Sequence, residues 1–173
     1  MPGETENAPG FGNIESPVMI IGQSLCTLCM KTQIPFTGGS GLILDKIFEL
    51  AGVKKEDLFI TNLVHCHPPK NRPSTVDEII NCRPFVYSEI DIVNPLLIIG
   101  LGSEVKNNLF SWNARNANCM AYGMDYYHIN GAFQGRHTCF VYHPAYVDRQ
   151  GGPNSDYGKA YVDFFVDLLS RYV

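Results

Sequence analysis

The stretch Pro17-Val18-Met19-Ile20-Ile21-Gly22-Gln23-Ser24 decides the fold. Its apolar residues run without a break, whereas a strand with one wet face would alternate. A strand of this kind belongs in a sheet covered on both sides. Three further runs have the same character: Asp57–Val64 (DLFITNLV), Pro95–Gly102 (PLLIIGLG) and His137–His143 (HTCFVYH). Helical segments lie between and after them. Gly39–Gly52 places Leu42, Ile43, Ile47, Leu50 and Ala51 at helical spacing, with Ser40 as N-cap and Gly52 as stop. Ser74–Asn94 opens on a Thr75/Glu78 capping box and ends before Pro95. A third helix runs from Ser103 to about Asn113. Tyr157–Tyr172 closes the chain with Tyr161, Phe164, Phe165, Leu168 and Leu169 on one face. Apolar strands alternating with helices imply an α/β fold: a three-layer α/β/α sandwich around a central, mostly parallel four-stranded sheet. Residues 1–16 read as a flexible lead-in, and 17–173 as a single domain. The stretch 114–136 reads as irregular, with a short strand at Tyr126–Asn130.

The composition narrows the class. The chain has 173 residues, 45% of them hydrophobic and 17% charged, with a net charge of −4. That excludes a disordered chain and one held on nucleic acid by bulk positive charge. A small local nucleic-acid site remains compatible with it. No apolar run reaches the roughly 18 residues a membrane span needs. Six cysteines in a chain of this size do not make a disulfide scaffold. The expectation is a cytoplasmic, monomeric protein with reduced thiols.

In an open α/β sheet, ligands bind beyond the carboxyl ends of the strands. The first strand delivers Gly22-Gln23-Ser24 there. The second delivers Thr61-Asn62, followed by His65, His67 and a Pro-rich loop. The third delivers Gly100-Leu101-Gly102-Ser103, and the last Tyr142-His143-Pro144. Each signal has an ordinary structural reading as a turn, a cap or a buried imidazole; their convergence on one edge marks a site. Phe36, held between Pro35 and Gly38-Gly39, suits a stacking platform for a planar base. The segment Pro68–Thr75 is rigid, carries Lys70 and Arg72, and leads into a helix N-terminus, a natural phosphate contact.

Four blocks in order resemble the uracil-DNA glycosylases of family four. They are Gly22-Gln23-Ser24 with Pro35-Phe36-Thr37-Gly38-Gly39-Ser40-Gly41; Ile60-Thr61-Asn62 through Pro68-Pro69-Lys70-Asn71-Arg72; Glu78-Ile79-Ile80-Asn81-Cys82-Arg83-Pro84-Phe85-Val86; and His143-Pro144-Ala145-Tyr146-Val147-Asp148-Arg149. The resemblance implies an enzyme that flips deoxyuridine out of DNA and hydrolyses its glycosidic bond, leaving an abasic site. It implies His143, Gln23 and Asn62 as catalytic residues. Gly22, Ser24 and Phe36 would join Asn62 and His143 in holding the base. Lys70, Arg72, Ser103, Tyr146 and Arg149 would contact the DNA, with Tyr146 or Val147 as a wedge in the duplex.

Two departures qualify the resemblance. Gln23 stands where family four has Glu, so this strand offers no carboxylate to polarise water. A weak or inactive uracil-DNA binding module is therefore an alternative, as is a glycosylase for another deaminated base. The family also holds an iron–sulfur cluster on four cysteines, two of them in a C-x2-C before the first strand. Here the only C-x2-C is Cys26-Thr27-Leu28-Cys29, after that strand. A displaced cluster would need Cys26, Cys29, Cys82 and a fourth ligand from Cys119 or Cys139. The preferred expectation is that no cofactor is required and that the cysteines are small buried hydrophobes.

Overall fold

The computed structural model describes residues 7–113, 121–124 and 128–173. Seven strands form one sheet among them: β1 (Phe11–Gly12), β2 (Val18–Ser24), β3 (Phe59–Val64), β4 (Leu97–Leu101), β5 (Ala121–Met124), β6 (His128–Phe133) and β7 (Arg136–Val141). Their order is β1-β3-β2-β4-β7-β6-β5. The four strands expected from sequence are its contiguous parallel centre, β3-β2-β4-β7. The count of four is corrected to seven, because β1 adds antiparallel to β3 at one edge and β6 and β5 add antiparallel at the other. β1 has only two residues, and β5 and β6 fall within the stretch 114–136 that reads as irregular; as antiparallel neighbours of β7 in chain order they need no helical crossover to mark them.

Alternation along the central strands feeds two cores. Val18 and Ile20 of β2 pack with Leu97 and Ile99 of β4 under α2 (Gly41–Ala51), α5 (Pro144–Arg149) and α6 (Asp156–Ser170). Met19, Ile21 and Ile98 face the other way, under α3 (Val76–Val93) and α4 (Ser103–Asn113). Every residue from Val18 to Ile21 is fully buried, which is why the run is unbroken. The three layers are thus as expected. The Thr75/Glu78 capping box forms on α3.

Three readings are corrected. Residues 7–16 are docked onto the domain. Asn7 bridges to Cys66, Ala8 is buried, the Gly10 amide donates to Glu89 at 2.7 Å, and Phe11 pairs with Ile60. Residues 1–6 of the lead-in lie outside the described residues. On α2 the buried stripe is Ile43, Leu44, Ile47 and Phe48, while Leu42 and Leu50 are 63% and 57% exposed. The packing against α6 sets that face, and Ile43 and Ile47 alone belong to both stripes. Ser40 precedes α2 but makes no side-chain cap.

The chain leaves β2 toward β3 and later returns to β4 on the opposite side of β2. The crevice at the carboxyl ends of β2 and β4 is therefore the place where a ligand fits in this topology. A short helix, α1 (Thr27–Thr32), and the loop 33–40 lie between β2 and α2 and overhang that crevice.

Candidate active site

A cavity of about 790 Å³ opens at the carboxyl ends of the central strands. Gln23, Ser24, Phe36, Asn62, Arg72, His143 and Arg149 line it, so seven of the sequence-predicted residues meet in one place. Sheet register explains the first contact. Gly22 of β2 is the register partner of Asn62 of β3. A Cβ at Gly22 would stand 2.5 Å from Asn62 Oδ1 and 2.5 Å from Phe36 Cζ. Glycine is thus what lets an amide and an aromatic ring close over this strand.

Phe36 is held rather than merely present. Its φ is +55°, an uncommon backbone region for a bulky residue. The Lys55 ammonium donates to its carbonyl at 3.1 Å, and a Cβ at Gly41 would collide with that same carbonyl. Asp45 pairs with Lys55 at 2.8 Å from α2. Strain at such a position persists only when its surroundings over-determine it. The Phe36 and His143 rings lie 5.9 Å apart, tilted by 41°.

His143 is the N-cap of α5, and its Nδ1 accepts from the Ala145 amide at 3.1 Å. An accepting Nδ1 puts the proton of the neutral ring on Nε2. Burial pushes the imidazole pKa below its ordinary value, and the Arg149 guanidinium pushes it the same way. The residue is therefore a neutral donor at pH 7. Across the strand gap, Gly102 at φ +93° brings its backbone against the His143 Cβ.

Several of the expected DNA contacts are placed differently. Lys70 and Ser103 are exposed and stand outside the cavity lining. Arg72 lines the rim, but its guanidinium grips Glu78 at 2.9 and 2.6 Å. That pairing holds the Glu78 carboxyl at about 2, well below its usual range. Tyr146 also lies outside the lining and stacks on Tyr142, with ring centroids 4.7 Å apart. Val147 is fully buried in the core and does not offer a wedge. The six-residue helix α5, started by Pro144, turns it inward.

The cysteines correct the expectation of wholly reduced thiols: Cys26 and Cys29 are joined in a disulfide. The pair lies in the cavity wall. Cys82 lines a separate cavity of about 200 Å³ with Cys66, and Cys139 is buried in the sheet with its thiol pushed up to about 12 by burial. Cys119 lies outside the described residues. Among the described residues no group of three or more His, Cys, Asp or Glu could hold a metal ion. The candidate set Cys26, Cys29 and Cys82 does not fit an iron–sulfur cluster, since two of its sulfurs are spent on each other and the third faces another cavity.

Two networks escaped the sequence reading. His67 hydrogen-bonds the Leu25 carbonyl at 2.8 Å and the Thr27 hydroxyl at 3.3 Å; Thr27 in turn donates to Asn71 at 3.2 Å. This ties α1 to the basic loop. Behind Asn62, Glu89 accepts from Thr61 at 2.6 Å and from the Gly10 amide, with His65 at 3.2 Å. Burial pushes the Glu89 pKa up, but the His65 ring and the Thr61 and Gly10 donors outweigh it and hold the carboxylate ionised. The signal was a carboxylate at Glu89 within the stripe Cys82, Val86, Glu89, Val93.

A family model described as the uracil DNA glycosylase superfamily matches residues 9–166. A Type-4 uracil-DNA glycosylase of Pyrobaculum aerophilum is 31% identical over 172 residues, covering 95% of this chain and 85% of the relative. One of Saccharolobus solfataricus is 39% identical over 103 residues, 59% of this chain and 48% of the relative. A Type-5 uracil-DNA glycosylase of Thermus thermophilus is 28% identical over 178 residues, covering 93% and 76%.

Proposed function

The chain belongs to the uracil-DNA glycosylase superfamily, and from that premise we propose that it excises uracil from DNA by hydrolysing the N-glycosidic bond. The observation that carries this reading is the closure of Phe36 and Asn62 over Gly22, with His143 facing them across one cavity. A flipped uracil stacks on Phe36. The Asn62 amide offers both a donor and an acceptor, which matches uracil O4 and N3–H and mismatches the amino group of cytosine.

The chemistry follows from the protonation state of His143. As the bond between the sugar C1′ and uracil N1 breaks, its electron pair moves onto the base and charge grows on O2. The neutral Nε2–H of His143 donates to that oxygen; a preorganised donor of this kind is worth roughly 3–4 kcal/mol. Arg149 adds positive potential at the same end of the cavity. Water supplies hydroxyl to C1′ and its proton leaves with uracil. Gln23 orients the water through its amide but cannot accept the proton. A binder with little turnover is the second reading, and the neutral Gln23 is the observation that favours it.

Lys70, Arg149 and Ser103 contact the DNA strand in this reading, Arg72 shapes its loop through Glu78, and Tyr146 presents an aromatic face beside the opening. The protein works as a cytoplasmic monomer without a required cofactor. No helix among the described residues is long and apolar enough to cross a membrane. The test is a panel of oligonucleotides carrying uracil, hypoxanthine, xanthine or a thymine mismatch, offered to the wild type and to Asn62→Ala. Release confined to uracil and lost in Asn62→Ala supports the proposal. Preferential release of a purine base would replace it.

A further inference from the structure

The Cys26–Cys29 disulfide has no part in the hydrolysis above, yet it sits in the wall of the same cavity. The two sulfurs differ. Cys29 is 1% exposed and packs with Leu25 and Ala8. Cys26 is only partly buried and opens on the cavity, and Leu28 between them is 46% exposed. One reachable sulfur, one sheltered sulfur and an exposed apolar residue between them suit attack by an external thiolate. In the cytoplasmic setting proposed above, disulfides are usually transient.

The pair is also wired to the base-stacking loop. Cys26 Sγ accepts from the Cys29 amide at 3.1 Å and lies 3.9 Å from the Thr37 carbonyl. At the far end of α1, the Thr32 and Thr37 hydroxyls are 3.1 Å apart. Leu28 packs so closely on Gly38 that a Cβ there would meet it at 2.9 Å. Thr37 and Gly38 follow Phe36 directly. A six-residue helix has little stability of its own. Its cross-link therefore bears on where Phe36 sits.

We propose that Cys26–Cys29 is a thiol–disulfide exchange site for a dithiol reductant, and that opening it loosens α1 and the Phe36 loop. A thiolate of the reductant attacks Cys26 Sγ. The Cys26–Cys29 bond breaks, and its electron pair leaves on Cys29 Sγ, which takes a proton from water. The second thiol of the reductant then resolves the mixed disulfide, freeing Cys26 and leaving the reductant as a disulfide. The claim about the loop's effect on turnover rests on reading the cavity as the uracil pocket; the exchange itself does not.

The experiment poises the folded protein in mixtures of reduced and oxidised dithiothreitol. It counts alkylated thiols by mass and follows amide hydrogen exchange across residues 25–41. Two thiols should appear together at Cys26 and Cys29 and vanish on reoxidation. Exchange across 25–41 should quicken in the reduced form, and uracil release should fall about tenfold as Phe36 loses its placement. Cys26→Ser/Cys29→Ser keeps an oxygen to cap α1, so it should fold, match the reduced form in exchange and ignore dithiothreitol. Cys66→Ser should keep the full response. A pair that stays closed in the folded protein under dithiol, or that opens with exchange across 25–41 unchanged, overturns the proposal. If neither form releases uracil, the glycosylase reading fails, while alkylation and hydrogen exchange still decide the exchange site.

Discussion

Replacing Gly22 with alanine should disable the pocket while leaving the fold in place. The added Cβ would lie 2.5 Å from Asn62 Oδ1, and 2.5 and 2.9 Å from Phe36 Cζ and Cε2. Ordinary contact begins near roughly 3.5 Å, so both groups must retreat by about 1 Å. Neither can do so freely. Asn62 is 4% exposed, and the Phe36 backbone is fixed by Lys55 and by the close approach of Gly41. A misplacement of about 1 Å in a positioning group costs about a hundredfold in rate. The overpacking should cost about 1–3 kcal/mol of stability, which a domain of this size survives at 25 °C. The assay is single-turnover uracil release with enzyme in excess, after circular dichroism has shown the variant folded. Gly135→Ala is the control: its φ is +81° and a Cβ there meets nothing within 4 Å. It therefore adds backbone strain without touching the cavity. A folded Gly22→Ala that releases uracil within about threefold of the wild-type rate would refute the reasoning, because the base would then not depend on that closure.

Three further outcomes are expected. The acid limb of the uracil-release profile should fall below the ordinary histidine value of 6.5, since burial and then Arg149 both lower the His143 pKa. Arg149→Gln should move that limb upward, and a wild-type limb at or above 6.5 would contradict the neutral-donor assignment. Gln23→Glu restores a carboxylate beside the cavity and should raise the single-turnover rate by about tenfold or more; an unchanged rate would mean that Gln23 does not face the water. The Arg72–Glu78 pair should show in acid unfolding. Its carboxyl is depressed from 4.5 to about 2, so the stabilisation is complete above 4.5 and is lost as pH falls through about 2. The melting-temperature gap between wild type and Glu78→Gln should close across that window, and a constant gap would assign the loss to something other than ionisation.

Much of the candidate site was legible because its residues are placed by local sequence. Gly22 and Asn62 lie near the carboxyl ends of β2 and β3, His143 follows β7, and Phe36 sits in a glycine-rich loop; strand ends of a parallel sheet converge by topology alone. The unbroken apolar runs identified that sheet, since residues such as Val18 and Met19 serve opposite cores. What stayed hidden depends on partners distant in sequence. Glu78 was visible as a capping residue, but its grip on Arg72 requires the turn at Pro69–Asn71. Glu89 looks like a surface carboxylate until Gly10 and Thr61 are brought to it. Val147 reads as a free wedge until α5 turns it into the core. The Cys26–Cys29 spacing read as a metal-type pair or as two reduced thiols, and the bond between them shows only in the structure.

The most direct test is whether the purified chain releases uracil from a defined oligonucleotide, single- or double-stranded, with enzyme in large excess. Release by the wild type, with a loss of about a hundredfold or more in His143→Ala, is the result expected if a neutral His143 carries the leaving-group charge. No release from either substrate, or equal release by His143→Ala, would contradict the central claim.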